Sequence, residues 1–139
     1  MEYIKAEQFL SQTKEVQEGL LNWWNPSIGD LYTYAIENEQ DYSELNCVTS
    51  INVVKMTSRN KGERIPLFTE GQLRKFIEEK TGGIVKVIQW HIEESDLYKK
   101  GYSIDILARD KYSVTYSYGN LVKDLLKAYW KIACSLAVD

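Results

Sequence analysis

Between Leu67 and Asp139 the spacing of apolar residues changes twice, from a helical period to strict alternation and back, and this constrains the fold more than any other feature of the chain. Thr69 with Gln72 three residues later forms a capping-box pattern. Leu73, Phe76 and Ile77 then mark one apolar face, with Arg74, Lys75, Glu78 and Glu79 opposite and Glu70 placed to pair with Arg74. Gly82 supplies a left-handed cap, so the spacing predicts a helix from about Glu70 to Thr81. Three alternating runs follow: Ile84 to Glu93, Tyr102 to Arg109 and Tyr112 to Tyr118. In each the even positions are mostly apolar and the odd ones mostly polar, which predicts an antiparallel meander with even side chains inward. Glu94 to Lys100 reads as a loop and Asp110-Lys111 as a tight turn. Asn120 would cap a last helix whose Leu121, Val122, Leu125, Leu126, Tyr129, Ile132, Ala133, Leu136 and Ala137 form an unusually wide stripe.

The first 66 residues are less regular. A short helix over residues 3–12 carries Ile4, Phe9 and Leu10, and a second from Lys14 to Trp24 aligns Val16, Leu20, Trp23 and Trp24. Asn25-Pro26 ends it, because the residue before a proline avoids the helical region. A tryptophan pair at the end of an amphipathic helix reads as core. Leu31 to Ala35 and the β-branched run Cys47 to Thr57 read as the two strands of an extra hairpin. The acidic segment between them, with Glu37, Glu39, Asp41 and Glu44, lacks the register of a calcium loop and reads as solvated. Ser58 to Arg64 reads as a polar linker.

These elements predict a single α+β domain over residues 1–139: an α-β-β-β-α core at 67–139 with an antiparallel sheet, preceded by a helical and hairpin segment at 1–66. With 44% hydrophobic residues the 139-residue chain can bury a core. No apolar run approaches the length needed to span a membrane, and the first residues lack a signal core. Cys47 and Cys134 stand far apart without metal-ligand spacing, so both are expected reduced in a cytoplasm. Residues 1–66 carry six basic and ten acidic side chains, and residues 67–139 eleven and ten. Neither half has the basic excess of a bulk phosphate binder.

No glycine-rich phosphate loop, serine nucleophile elbow or zinc-type cluster is present, so no cofactor, metal or catalytic residue is assigned. Two surfaces are candidates. The polar sheet face holds the only histidine, His91, with Asp105 and Thr115, which together supply an imidazole, a carboxylate and a hydroxyl. A face open to water is polar in any case, and no oxyanion donor accompanies the three. The second candidate is a lysine ridge on the last helix, Lys123, Lys127 and Lys131, joined by Lys99 and Lys100; lysines so placed can contact phosphates or simply form a solvated face.

The order helix, three strands, helix resembles the topology of the double-stranded-RNA-binding domain. That family implies contacts from its first helix, the loop between its first two strands and a lysine cluster opening its second helix. Here the second helix opens Gly119-Asn120-Leu121-Val122-Lys123-Asp124 in place of consecutive lysines, and only the topology carries over. Across nearly the whole chain, the segments Thr13 to Glu18, Trp23 to Leu31, Pro66 to Leu73 and Leu125 to Trp130 resemble small hypothetical proteins from prophages of Gram-positive bacteria such as clostridia and bacilli. That resemblance implies a bacterial cytoplasm and a phage gene cluster, with no activity attached. The expected function is that of a non-enzymatic accessory protein binding a host or phage macromolecule, with a nucleic-acid-binding module as the alternative. No membrane partner is expected, and an unpaired edge strand leaves a homodimer open.

Overall fold

The structure, a computed structural model, describes residues 2–35, 44–94, 97–110, 113–119 and 123–138, with side chains described for all of these but 90–94 and 97–100. The expected positions Glu37, Glu39, Asp41, Lys111, Tyr112, Asn120, Leu121 and Val122 lie outside the described residues. The chain is α+β, with helices and two three-stranded antiparallel sheets. It divides into two compact units, 1–69 with 137–139, and 70–136.

The first unit opens with helices α1 (Ala6–Leu10) and α2 (Lys14–Trp23). Thr13 caps α2 by accepting the Val16 amide at 3.3 Å, and Val16 and Leu20 are buried one turn apart. Trp24 is 1% exposed, and its indole donates to Asp30 Oδ2 at 3.0 Å, so a large ring is buried with its only donor satisfied. Trp23 packs at a tilt on Phe68, ring centroids 6.2 Å apart. Strand β1 (Leu31–Tyr34) lies between β2 (Asn46–Cys47) and β3 (Arg64–Pro66). Tyr32 stands opposite both Asn46 and Pro66, and Tyr34 opposite Arg64.

The expected strand from Cys47 to Thr57 is corrected here. Only Asn46–Cys47 is extended, and Ile51–Arg59 forms helix α3. Ser50 accepts the Val53 amide at 3.3 Å, which starts the helix, and Thr57 is fully buried one turn beyond the half-buried pair Val53 and Val54. The β-branched composition favours a strand, but the cap and the 3.6-residue spacing outweigh it. The expected linker at 58–64 is likewise structured, as the end of α3, a turn of 3-10 helix at Lys61–Glu63 and the start of β3.

In the second unit α4 (Glu70–Thr81) buries Leu73, Phe76 and Ile77 and packs on α5 (Leu125–Leu136). Burial of each such side chain contributes roughly 1.5–3 kcal/mol. Gly82 closes α4 at φ +70, a conformation costly for residues with a Cβ. Strands β4 (Gly83–Glu94), β5 (Leu97–Ala108) and β6 (Val114–Tyr118) pair in that order.

The register corrects the expected parity. Val85 pairs with Ile106 and Val87 with Ile104, so odd positions of β4 share a face with even positions of β5. Val85, Ile104 and Ile106 are buried, whereas Lys86 is exposed and Ile88 is 37% exposed. Apolar residues occur at both parities in Ile84-Val85-Lys86-Val87-Ile88, and the charge decides. Turning Lys86 inward would bury an ammonium without a partner. The seven-residue loop expected at 94–100 is also replaced: Glu94 pairs with Leu97, and Lys99 and Lys100 are strand positions opposite Ile92 and His91. A register shift between Ile106 and Leu107 places Leu107 opposite Val114, which is 54% exposed, rather than inward as expected. Strand β6 covers β5 only from Ile104 to Leu107, and the β4–β5 pair runs on past it from Ile88–Ser103 to Glu94–Leu97. That two-stranded ribbon extends roughly 20 Å at the rise of an antiparallel strand.

The backbone crowding at Gly83 gives a direct test. A Cβ there would lie 2.8 Å from the Leu107 carbonyl oxygen and closer still to the Ile106 side chain. Gly83→Ala is expected to lower stability by about 1–3 kcal/mol in urea denaturation, as overpacking does. Ser50→Ala, which removes only the α3 cap, is expected to cost about 1 kcal/mol.

Candidate functional site

On the open face of the second sheet, Lys86, Asp105 and Ser117 stand in one cross-strand row. The Ser117 hydroxyl donates to Asp105 Oδ1 at 2.7 Å, so the carboxylate is engaged by the neighbouring strand. Thr115 sits at the register shift and donates its hydroxyl to the Ile106 carbonyl at 2.9 Å, which ties it to the main chain. His91 pairs with Lys100, five positions along β5 from Asp105, or roughly 17 Å at the antiparallel rise. The three residues with the ingredients for acyl transfer therefore do not converge on one point, since proton relay needs contacts of about 3 Å.

The lysines separate in a similar way. Lys127 and Lys131 are exposed one turn apart on α5. Helix α5 begins only at Leu125, with Asp124 Oδ1 accepting the Lys127 amide at 3.2 Å, so Lys123 precedes the helix instead of extending its ridge. The cap at Asp124 also places a carboxylate where the ridge would continue, and it suits the positive end of the helix dipole. Lys99 and Lys100 belong to β5, and their side chains lie outside the described residues. Among the described residues no group of three or more His, Cys, Asp or Glu is placed to hold a metal ion, and no helix is long and apolar enough to cross a membrane.

One polar cluster was not apparent from the sequence. Arg64, read there as part of a linker, is 7% exposed. Its guanidinium lies 5.4 Å from the ring centres of both Tyr32 and Tyr34, which meet edge to face. Nη1 donates to the Met56 carbonyl at 3.1 Å, near the C-terminal end of α3, where a positive charge complements the helix dipole. Burial pushes the Tyr32 hydroxyl up, reinforced by Tyr34 and opposed by Arg64. Arg64 Nε, Thr57 Oγ1 and Asn46 Nδ2 are buried without hydrogen-bond partners among the described residues. The cluster joins the end of α3 to the first sheet through one guanidinium. The available signal was Tyr32 and Tyr34 two apart on a strand, which place two rings on one face.

Reactivity of the cysteines follows from their positions. Cys47 is exposed, whereas burial pushes the Cys134 thiol up to about 12. At pH 8 only about one Cys134 in ten thousand is then thiolate, the reactive form. A thiol reagent is expected to modify Cys47 in the native protein and Cys134 only after unfolding, as mass spectrometry of the labelled peptides would show. Burial also pushes the Tyr129 hydroxyl up. Both groups have raised folded-state values, so their contribution to stability is complete at neutral pH and is lost at alkaline pH, for Cys134 as pH rises towards about 12. Urea midpoints are expected to hold from pH 7 to about 9 and fall above it, with a shallower alkaline fall in Cys134→Ala.

No protein-family model matches the chain, and neither a curated protein nor a solved structure matches it.

Proposed function

We infer that this chain is a non-enzymatic accessory protein of phage or prophage origin that binds a host or phage macromolecule in the bacterial cytoplasm. The observation that carries the reading is the β4–β5 ribbon, which continues for seven residue pairs past the last one covered by β6. A two-stranded ribbon is marginally stable in water unless something packs on it or adds a strand to it. Among the described residues no strand lies beside the outer side of β5 at 97–103, which is the arrangement that strand addition by a partner uses. A protein partner fits the balance of charge, which is −3 for the whole chain.

The exposed pair Lys127 and Lys131 favours a second reading, in which the α4-β4-β5-β6-α5 unit binds nucleic acid. Phosphate contacts weaken steeply as salt rises, so electrophoretic mobility shift at about 50 and 200 mM salt discriminates between the readings. The protein-binding reading expects no retarded complex at either concentration. A complex that dissociates at the higher salt and is lost in Lys127→Ala with Lys131→Ala would favour the second.

For the first reading, the tagged full chain is used to capture partners from an infected host, before and after nuclease treatment. A parallel variant carries Asn-Gly in place of residues 91–100, a two-residue turn that leaves Trp90 and Gly101 as the closing pair. The expected result is a protein that survives nuclease treatment and is lost with the shortened ribbon, while circular dichroism and thermal unfolding show the rest of the variant folded. Retention of the partner by the shortened variant would overturn the role of the ribbon.

A further inference from the structure

The outer edge of β4 ends the sheet, and one residue shows which way its main chain faces. The Val85 amide donates to Glu78 Oε2 at 3.3 Å, and the Val85 carbonyl accepts from Arg74 Nη2 at 3.4 Å. Both partners are side chains of α4, so Val85 directs its hydrogen-bonding groups away from β5. In an antiparallel ladder these groups alternate between the two sides of the strand. No register shift interrupts the β4–β5 pairing, so Val87, Gln89, His91 and Glu93 turn their main-chain groups to the same outer edge. The α4 pair seals that edge at Val85, and among the described residues no strand pairs with it beyond.

The open stretch, Lys86 to Glu94, is self-complementary when read against its own reverse. With Trp90 as the midpoint, Lys86 meets Glu94, Ile88 meets Ile92, and the outward-facing positions meet one another, Val87 with Glu93 and Gln89 with His91. Any two-residue slip in register breaks the match: one way sets Lys86 against Ile92, the other sets Ile88 against Glu94. A one-residue slip pairs outward-facing with inward-facing main-chain groups and forms no ladder. Lys86 is exposed and Ile88 is 37% exposed, so both side chains are accessible to a partner strand.

We propose that a second copy of this chain pairs with β4 in antiparallel register about a two-fold axis at Trp90, joining two three-stranded sheets into one of six. The occupant is a second copy because the even-numbered positions of the strand, Lys86 with Glu94 and Ile88 with Ile92, complement themselves. The row Ser117, Asp105, Lys86 is continued by Glu94 of the second copy, alternating in charge from one strand to the next. In that register Lys86 takes the last residue of the other β4, Glu94, so the Arg74 and Glu78 seal at Val85 lies one position beyond the shared ladder. An exposed edge of this length is otherwise a site for uncontrolled pairing. The proposal uses the β4 edge, whereas the macromolecular partner proposed above uses the β5 side. It therefore does not rest on that reading.

The test is sedimentation equilibrium on the full chain, with charge reversal of the two terminal positions. The wild type is expected at twice the 16.2 kDa chain mass, dissociating on dilution. Lys86→Glu and Glu94→Lys each oppose like charges twice about the axis and are expected to weaken the dimer by roughly tenfold or more. The double variant restores opposite charges and is expected to return to within about threefold of wild type. Asp105 beside residue 86 acts alike in monomer and dimer, so it does not contribute to this comparison. In a background of Cys47→Ser and Cys134→Ala, Trp90→Cys is expected to form an intermolecular disulfide on mild oxidation, because opposed residues at a non-hydrogen-bonded pair lie about 4.5 Å apart at Cα. A chain that stays monomeric at about 100 µM, a level at which cognate interfaces are filled, overturns the proposal. So does a double variant as dissociated as its parents, or a Trp90→Cys protein that forms no disulfide while the dimer persists.

Discussion

The pairing of Val85 with Ile106 and of Val87 with Ile104 is the constraint on which the second unit depends. It selects which residues of β4 face inward, and a slip by one position would exchange the buried Val85 for Lys86. Gly83 fixes the near end of the register, since its backbone lies where any side chain would strike the Leu107 carbonyl and Ile106. At the β6 side the shift at Ile106 and Leu107 consumes one residue, Thr115, whose hydroxyl satisfies the carbonyl left beside it. Each irregularity of the sheet thus has a local side-chain or backbone partner.

Helix α4 contributes in two ways. Leu73, Phe76 and Ile77 supply its buried face, and the partly exposed ion pair of Arg74 and Glu78, 3.1 Å apart, closes the outward-facing site of β4 at Val85. An exposed ion pair by itself contributes little to stability. Here both partners also bind the main chain of Val85, so the pair acts as a stop for strand pairing. The salt bridge expected between Glu70 and Arg74 gives way to this arrangement because Arg74 satisfies a carboxylate and a strand carbonyl together.

How far the fold was legible depended on whether one signal or two competed at each position. Helix α4 was read with its bounds because its apolar spacing, polar face and terminal glycine agree. For α3 the β-branched composition points to a strand and the Ser50 cap to a helix, and the cap decides. In β4 the apolar residues occupy both parities, and only the position of Lys86 distinguishes them. The register that separates His91 from Asp105 is a pairing between strands, a long-range property that alternation within each strand does not contain. Arg64 was hidden for a similar reason: its surroundings come from β1 and α3, and a charged residue in a polar run reads as surface until those elements are placed.

The β4–β5 ribbon has two edges, and their chemistry differs. Along β4 the charged positions Lys86 and Glu94 lie at opposite ends of the open stretch, which is the arrangement a two-fold axis requires, since each end must meet the other. Along the free part of β5 the charges Lys99 and Lys100 are adjacent, and an antiparallel second copy of that edge would bring like charge near like charge in any register centred between them. A self-pairing edge therefore fits β4, and an edge that needs a different, more acidic partner strand fits β5. Pairing on one side would stiffen the ribbon by adding a third strand, and a stiffened ribbon would lose less conformational entropy if a partner strand engaged its other side.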